Sequence, residues 1–172
     1  MSDEADMVRR FKPPIYAETK HGDRRWCLNL GDEEQALIAR MLSELRALLT
    51  SADDDPDAPV APMLQRLFPP AFLDDEEKEA EYQRLMREEL VTSRVVQIDA
   101  VTEMLGPDAP KHLDEGNVIA LMQSINAVRV VLGTLLDIGE DDEIDPGDEA
   151  TPEHQLYGFL SWLLDWTVKS LG

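Results

Sequence analysis

The sequence predicts an all-α, single-domain helical bundle built around one central buried helix at about residues 117–137, with a small N-terminal β-hairpin or arm. Three observations predict it. First, "NVIALMQSINAVRVVLGTLL" (117–136) carries one charge, Arg129, and is apolar on most sides, so it needs neighbours on most sides. Second, three further stretches space their apolar residues at helical intervals. Third, 172 residues with 43% hydrophobic content are enough for one core and short for two. The domain is therefore taken as 1–172, with an arm or hairpin at 8–31, a helical core at 32–172, and acidic loops at 51–62 and 138–151.

The elements follow in chain order. In "PPIYAETKHGDRRWCLNLG" a Gly-Asp turn signal separates two segments rich in aromatic and aliphatic residues, which is a hairpin pattern. In "GDEEQALIARMLSELRALLT" Asp32 is a candidate helix cap, and Leu37, Ile38, Met41, Leu42, Leu45, Leu48 and Leu49 form the inward stripe. "SADDDPDAPVAP" is too acidic and Pro-rich to pack. "MLQRLFPPAF" reads as a short helical turn closed by Pro69 and Pro70, offering Leu64, Leu67, Phe68 and Phe72 to the core. From Asp74 to Leu105 there is neither Gly nor Pro, which predicts one long helix. Its stripe changes register near residues 90–94, from Tyr82, Leu85, Met86 and Leu90 to Val91, Val95, Ile98, Val101 and Leu105, so a bend is expected there. Glu77, Glu81, Arg84 and Glu88 are expected to pair with Lys78 and Arg87 across a solvated face. The central helix has Asp114 as its candidate N-cap and Gly139 as its stop. The last helix, from about Pro152 to Leu171, is expected to turn Leu156, Phe159, Leu160, Leu163, Leu164, Thr167 and Leu171 inward.

Charge excludes several partners. There are 36 acidic and 16 basic residues, a formal net charge of -20, and residues 32–172 hold 31 of the acids against ten bases. Without clustered Lys and Arg to neutralise phosphates, direct nucleic-acid binding is not expected, nor is attraction to an anionic membrane. A protein partner with a basic surface is compatible, because opposite charge speeds encounter. As a membrane span the 117–136 stretch fails: Asn117, Gln123, Ser124, Asn126, Arg129 and Thr134 are polar, and no basic residues anchor its ends. "MSDEADMVRR" lacks the apolar run of a secretory signal, so a cytoplasmic location is expected.

Motifs for chemistry are sparse. Phosphate-binding glycine loops and nucleophile elbows are absent. "ETKH" (Glu18–His21) is one copy of a spacing that di-iron bundles need on two helices, and it falls in a turn. His112 and His154 read as solvated or capping histidines. "DIGEDDEIDPGD" lacks the glycine a calcium loop needs at its sixth position. No metal and no cofactor is therefore implied, and no catalytic residue is assigned. Cys27, the sole cysteine, reads as a buried small hydrophobe; the functional alternative is a redox-active thiol, activated by Arg24 and Arg25 or joined in an intermolecular disulfide.

Arg129 has a structural and a functional reading. Inside a helix stripe a guanidinium must be paired or must snorkel. The leading expectation is a buried salt bridge to a carboxylate of the 74–105 helix, with Asn126 three residues earlier sharing the partner. The functional alternative is a groove arginine that meets an anion or a partner. Trp162 and Trp166, one turn apart beside the last helix's stripe, are candidate partner-binding aromatics.

"RLFPPAFLDD" (66–75), "EYQR" (81–84) and "INAVRVVLGTLL" (125–136) together resemble the helical actinobacterial proteins catalogued as a domain of unknown function, the family that includes the AosR-type oxidative-stress regulators. The resemblance covers roughly residues 25–170. It implies transcriptional regulation through a stress sigma factor, with oxidation sensed by a C-x-x-x-C disulfide. This sequence departs from that pattern: with Cys27 alone, an intramolecular switch cannot form. Leu135 also stands where the family pattern has a basic residue. The expected function is thus a non-enzymatic cytoplasmic regulatory protein acting by protein–protein interaction, with a homodimer left open. The alternative is a small-ligand-binding helical domain, or an enzyme without a motif, with a pocket near Arg129. Exposed aromatics favour the first and a deep polar pocket around Arg129 and Asn126 the second.

Overall fold

The computed structural model describes residues 12–53, 60–137 and 151–172. Strands β1 (Ile15–Lys20) and β2 (Asp23–Leu28) pair antiparallel, with Lys20 opposite Asp23. The two residues between them, His21 (φ 53°) and Gly22 (φ 87°), both take the left-handed backbone that a tight two-residue hairpin turn requires. The turn thus lies at His21–Gly22, one residue before the expected Gly-Asp signal. Period-two alternation puts Ile15, Ala17 and Trp26 on the inner face and Tyr16, Glu18, Arg25 and Cys27 on the outer one.

Four α-helices follow among the described residues: α1 (Asp32–Asp53), α2 (Glu76–Met104), α3 (Glu115–Leu135) and α4 (Pro152–Leu171). A 3₁₀ turn, Pro62–Leu67, lies between α1 and α2. Helix α3 packs against α1, α2, α4, the 3₁₀ turn and β2, which makes it the centre of the bundle as its composition predicts. Its apolar length would suffice to cross a membrane, but here that surface is spent on the other elements. Asp114 caps α3: its carboxylate accepts from the Asn117 amide (2.8 Å), and the Asn117 side chain accepts from the Asp114 amide (3.0 Å). Asp137, with φ 57°, takes the left-handed position just after α3; the expected stop at Gly139 lies outside the described residues.

The core joins Ile15, Trp26 and Leu30 to Ile38, Leu42 and Leu49 of α1, Ile98 and Val101 of α2, and Leu121 and Ile125 of α3. Leu160 and Leu163 of α4 complete it. Several expected faces shift. On α1, Leu37 is exposed. On α2, Leu85 faces solvent while Arg87, expected on the charged face, is buried. Helix α2 is helical without interruption through residues 90–94. Phe72 is exposed and meets Tyr82 edge-on instead of entering the core. On α4 the buried positions are Tyr157, Leu160, Leu163 and Thr167, so the stripe is rotated toward Tyr157. Helix α1 runs on to Asp53, three residues into the loop expected at 51–62, and Pro62 opens the 3₁₀ turn; residues 54–59 of that loop and 138–150 of the second lie outside the described residues.

Candidate functional site

Arg129 does not pair with a carboxylate among the described residues. It is half-buried, its Nε donates to Ser161 Oγ at 2.8 Å, and its guanidinium lies over the Tyr157 ring, 5.2 Å from the centroid. A second donation runs to Asn126 Oδ1 at 3.4 Å. The expected salt bridge to α2 is thereby corrected: the partners sit on α4 and are neutral. The physical reason is rotational. Arg129 lies on the side of α3 that faces α4, and an aromatic face plus a hydroxyl satisfies a partly solvated guanidinium without a second buried charge.

Asn126 stands between two environments. Besides holding Arg129, it lines a polar cavity of about 300 Å³ between α2 and α3, together with Leu90, Ser93, Arg94, Gln97 and Gln123. Gln97 donates to Gln123 across the helix pair. Arg94 is half-buried and has no protein partner among the described residues, and burial pulls its guanidinium below its ordinary pKa. It still stays charged at neutral pH. Sequence reading missed Arg94: on a helix crowded with charges it looks like one more solvated residue, and only the register of α2 on α3 turns it toward the amides. The pocket expected around Arg129 is thus built around Arg94, with Asn126 as the shared member.

An apolar groove opens between α1, α3 and α4, lined by Met41, Leu45, Leu48, Val131, Leu135 and Leu156 among others, with Glu44 on its wall and a volume of about 130 Å³. Leu135 is 60% exposed there. Of the two tryptophans on α4, Trp162 is 46% exposed and leans on Phe159 at 6.0 Å, whereas Trp166 packs half-buried against the core with Lys169 over its ring. They do not form one aromatic patch.

Cys27 is half-buried on the outer face of the hairpin. Its Sγ lies 3.6 Å from Glu18 Oε1, which also accepts from Arg25 Nε (2.8 Å) and Nη2 (2.7 Å) and lies 3.5 Å from His112 Nε2. Burial first, and then the Glu18 carboxylate, push the thiol above its ordinary pKa. The expected activation by the two arginines is therefore absent: Arg25 is engaged by Glu18, and Arg24 donates to the carbonyls of Ser170 and Gly172. Arg25 holds Glu18 below the usual carboxylate range. Thiol and imidazole share one carboxylate, and a raised thiol pKa does not favour a thiolate nucleophile.

Together these features define a class: a helical bundle with a hairpin, an apolar groove, a polar inter-helix cavity and an acidic exterior. The chain belongs to the DUF2017 family, a domain of unknown function, whose model matches residues 9–171. No curated protein and no solved structure matches it.

Proposed function

We propose that the protein is a non-enzymatic regulatory protein that docks onto a protein partner with a basic surface, within stress-linked transcription. The apolar groove between α1, α3 and α4 carries this reading. Its walls are aliphatic apart from Glu44, its edge residue Leu135 is solvent-exposed, and the chain that joins α3 to α4 holds seven carboxylates between residues 138 and 150. A short amphipathic helix with an apolar face and flanking Lys or Arg is the matching occupant. A sigma factor or a polymerase surface has that chemistry, and the resemblance to AosR-type regulators supports the choice. A net charge of -20 favours a route to transcription through another protein instead of DNA.

The test is binding of a purified stress sigma factor, and separately of core polymerase, to the wild-type chain and to Leu135→Glu. The exposed position leaves the fold intact, so melting temperature should not move. Affinity should fall about 30-fold if Leu135 belongs to an interface hot spot. Equal affinity for the two chains removes the groove from the interface, and no binding to either component sinks the transcriptional assignment.

Arg94 supports a second reading, binding of a small anion in the α2–α3 cavity. Calorimetry with phosphate and with a dicarboxylate, on wild type and Arg94→Met, tests it: heat lost in the variant supports it, and no heat in wild type rejects it.

A further inference from the structure

We propose that Glu18, Cys27 and His112 form a binding site for a thiophilic divalent cation, Zn²⁺ foremost, with a fourth coordination position left open. The inference is independent of the docking groove, which lies between other elements.

Three separate segments bring the ligands together. Glu18 comes from β1 and Cys27 from β2, on the same outer face of the hairpin. His112 is placed by a single antiparallel bridge next to it: Trp26 N donates to Leu113 O and Leu113 N to Trp26 O, both at 2.9 Å. With Leu113 opposite Trp26, antiparallel pairing sets His112 beside Cys27. Leu113 is buried and His112 faces outward, so the imidazole is held on the thiol's side by backbone register.

Two of the three ligand–ligand edges are close to those of a tetrahedral ion. Zinc bonds of about 2.3 Å to sulfur and about 2.0 Å to nitrogen or oxygen give ligand–ligand edges of about 3.5 Å for S···O and about 3.3 Å for N···O. The corresponding separations are 3.6 Å and 3.5 Å, and all three ligand atoms lie within 4.8 Å of one another. The donor set is one soft and one borderline ligand with a single carboxylate, which selects zinc over magnesium or calcium. Arg25 donates both Nε and Nη2 to this same Oε1, so it competes for the ligating oxygen and has to yield part of that contact when an ion binds. Its positive charge also opposes a dication, while the carboxylate and a thiolate favour one. Three protein ligands make an exchangeable site instead of a closed structural one. No motif announces it, because the ligands are nine and then 85 residues apart.

The experiment titrates Zn²⁺ alone into the full chain by calorimetry, in a large excess of Mg²⁺ that occupies the acidic surface. One ion per chain is expected. Loading with Co²⁺ should give a thiolate-to-metal charge-transfer absorption. Cys27→Ser should abolish that band and weaken Zn²⁺ more than about 100-fold, and His112→Gln should weaken it at least about tenfold. Circular dichroism verifies that each variant is folded. The unmodified chain supplies a second readout, since bound Zn²⁺ should slow alkylation of Cys27. Zinc that Mg²⁺ displaces, that binds Cys27→Ser as well as wild type, or that leaves alkylation unchanged would overturn the proposal.

Discussion

Arg129 holds α3 to α4 through a hydroxyl and an aromatic face, so removing its charge strands no carboxylate among the described residues. Arg129→Met should therefore cost about 1–2 kcal/mol, the size of one charge-assisted hydrogen bond with a cation–π contact, well short of the loss from a broken buried ion pair. A double-mutant cycle with Ser161→Ala, read by urea melts, should return a coupling of about 1 kcal/mol; additive effects would show that the 2.8 Å contact contributes nothing. Ser124 is the opposite case. Ser124 is 1% exposed and its hydroxyl finds no hydrogen-bond partner among the described residues, so Ser124→Ala should be neutral or stabilising by up to about 1 kcal/mol. A clear loss of stability in that variant would mean the hydroxyl is bonded in solution.

At the start of α2, Asp75 accepts from the Lys78 amide, and Glu79 reaches back to the amides of Ala71 (2.9 Å) and Phe72 (2.6 Å). Gln83 also donates to Glu79, at 2.8 Å, and that bond leads the Phe72 amide in lowering the Glu79 pKa. A folded-state pKa below the unfolded one means stabilisation that is present above the unfolded value, about pH 4.3, and lost as pH falls through the folded value. The stability gap between wild type and Glu79→Gln should thus be steady at neutral pH and close only in acid. A gap that widens in acid contradicts the hydrogen bonds. Elements of this kind were readable from sequence where one helix's own chemistry decides them: the Asp114 cap, the Pro152 start and the apolar run of α3 with its single arginine. What stayed hidden depends on how two elements meet. The face on which Arg129 leaves α3, the inward turn of Arg87, the cavity at Arg94 and the approach of His112 to Cys27 are set by inter-element register, which no local pattern encodes.

On the scale of the molecule, 36 acids against 16 bases mean self-repulsion at low salt. Added NaCl should raise the melting temperature until the Debye length falls to about 8–10 Å and then have little further effect. A melt insensitive to salt would show that the charges are already neutralised, for example by bound cations. The same charge predicts no sub-micromolar affinity for duplex DNA at physiological salt, and a gel shift without any partner protein would refute this.

The hairpin also grips the far end of α4: Arg24 donates to Ser170 and Gly172 carbonyls at 2.7 Å and 2.9 Å, and Trp26 Nε1 to Ser170 at 3.0 Å. These groups lie 144 to 148 residues apart in the chain, so during synthesis the hairpin waits for its acceptors until α4 has left the ribosome. The loop that this contact closes is nearly the whole chain, and its entropy must be lost before the contact returns anything. Arg24→Ala should consequently speed unfolding and leave the folding rate almost untouched. Residues made long before α4 would be among the last to find their place.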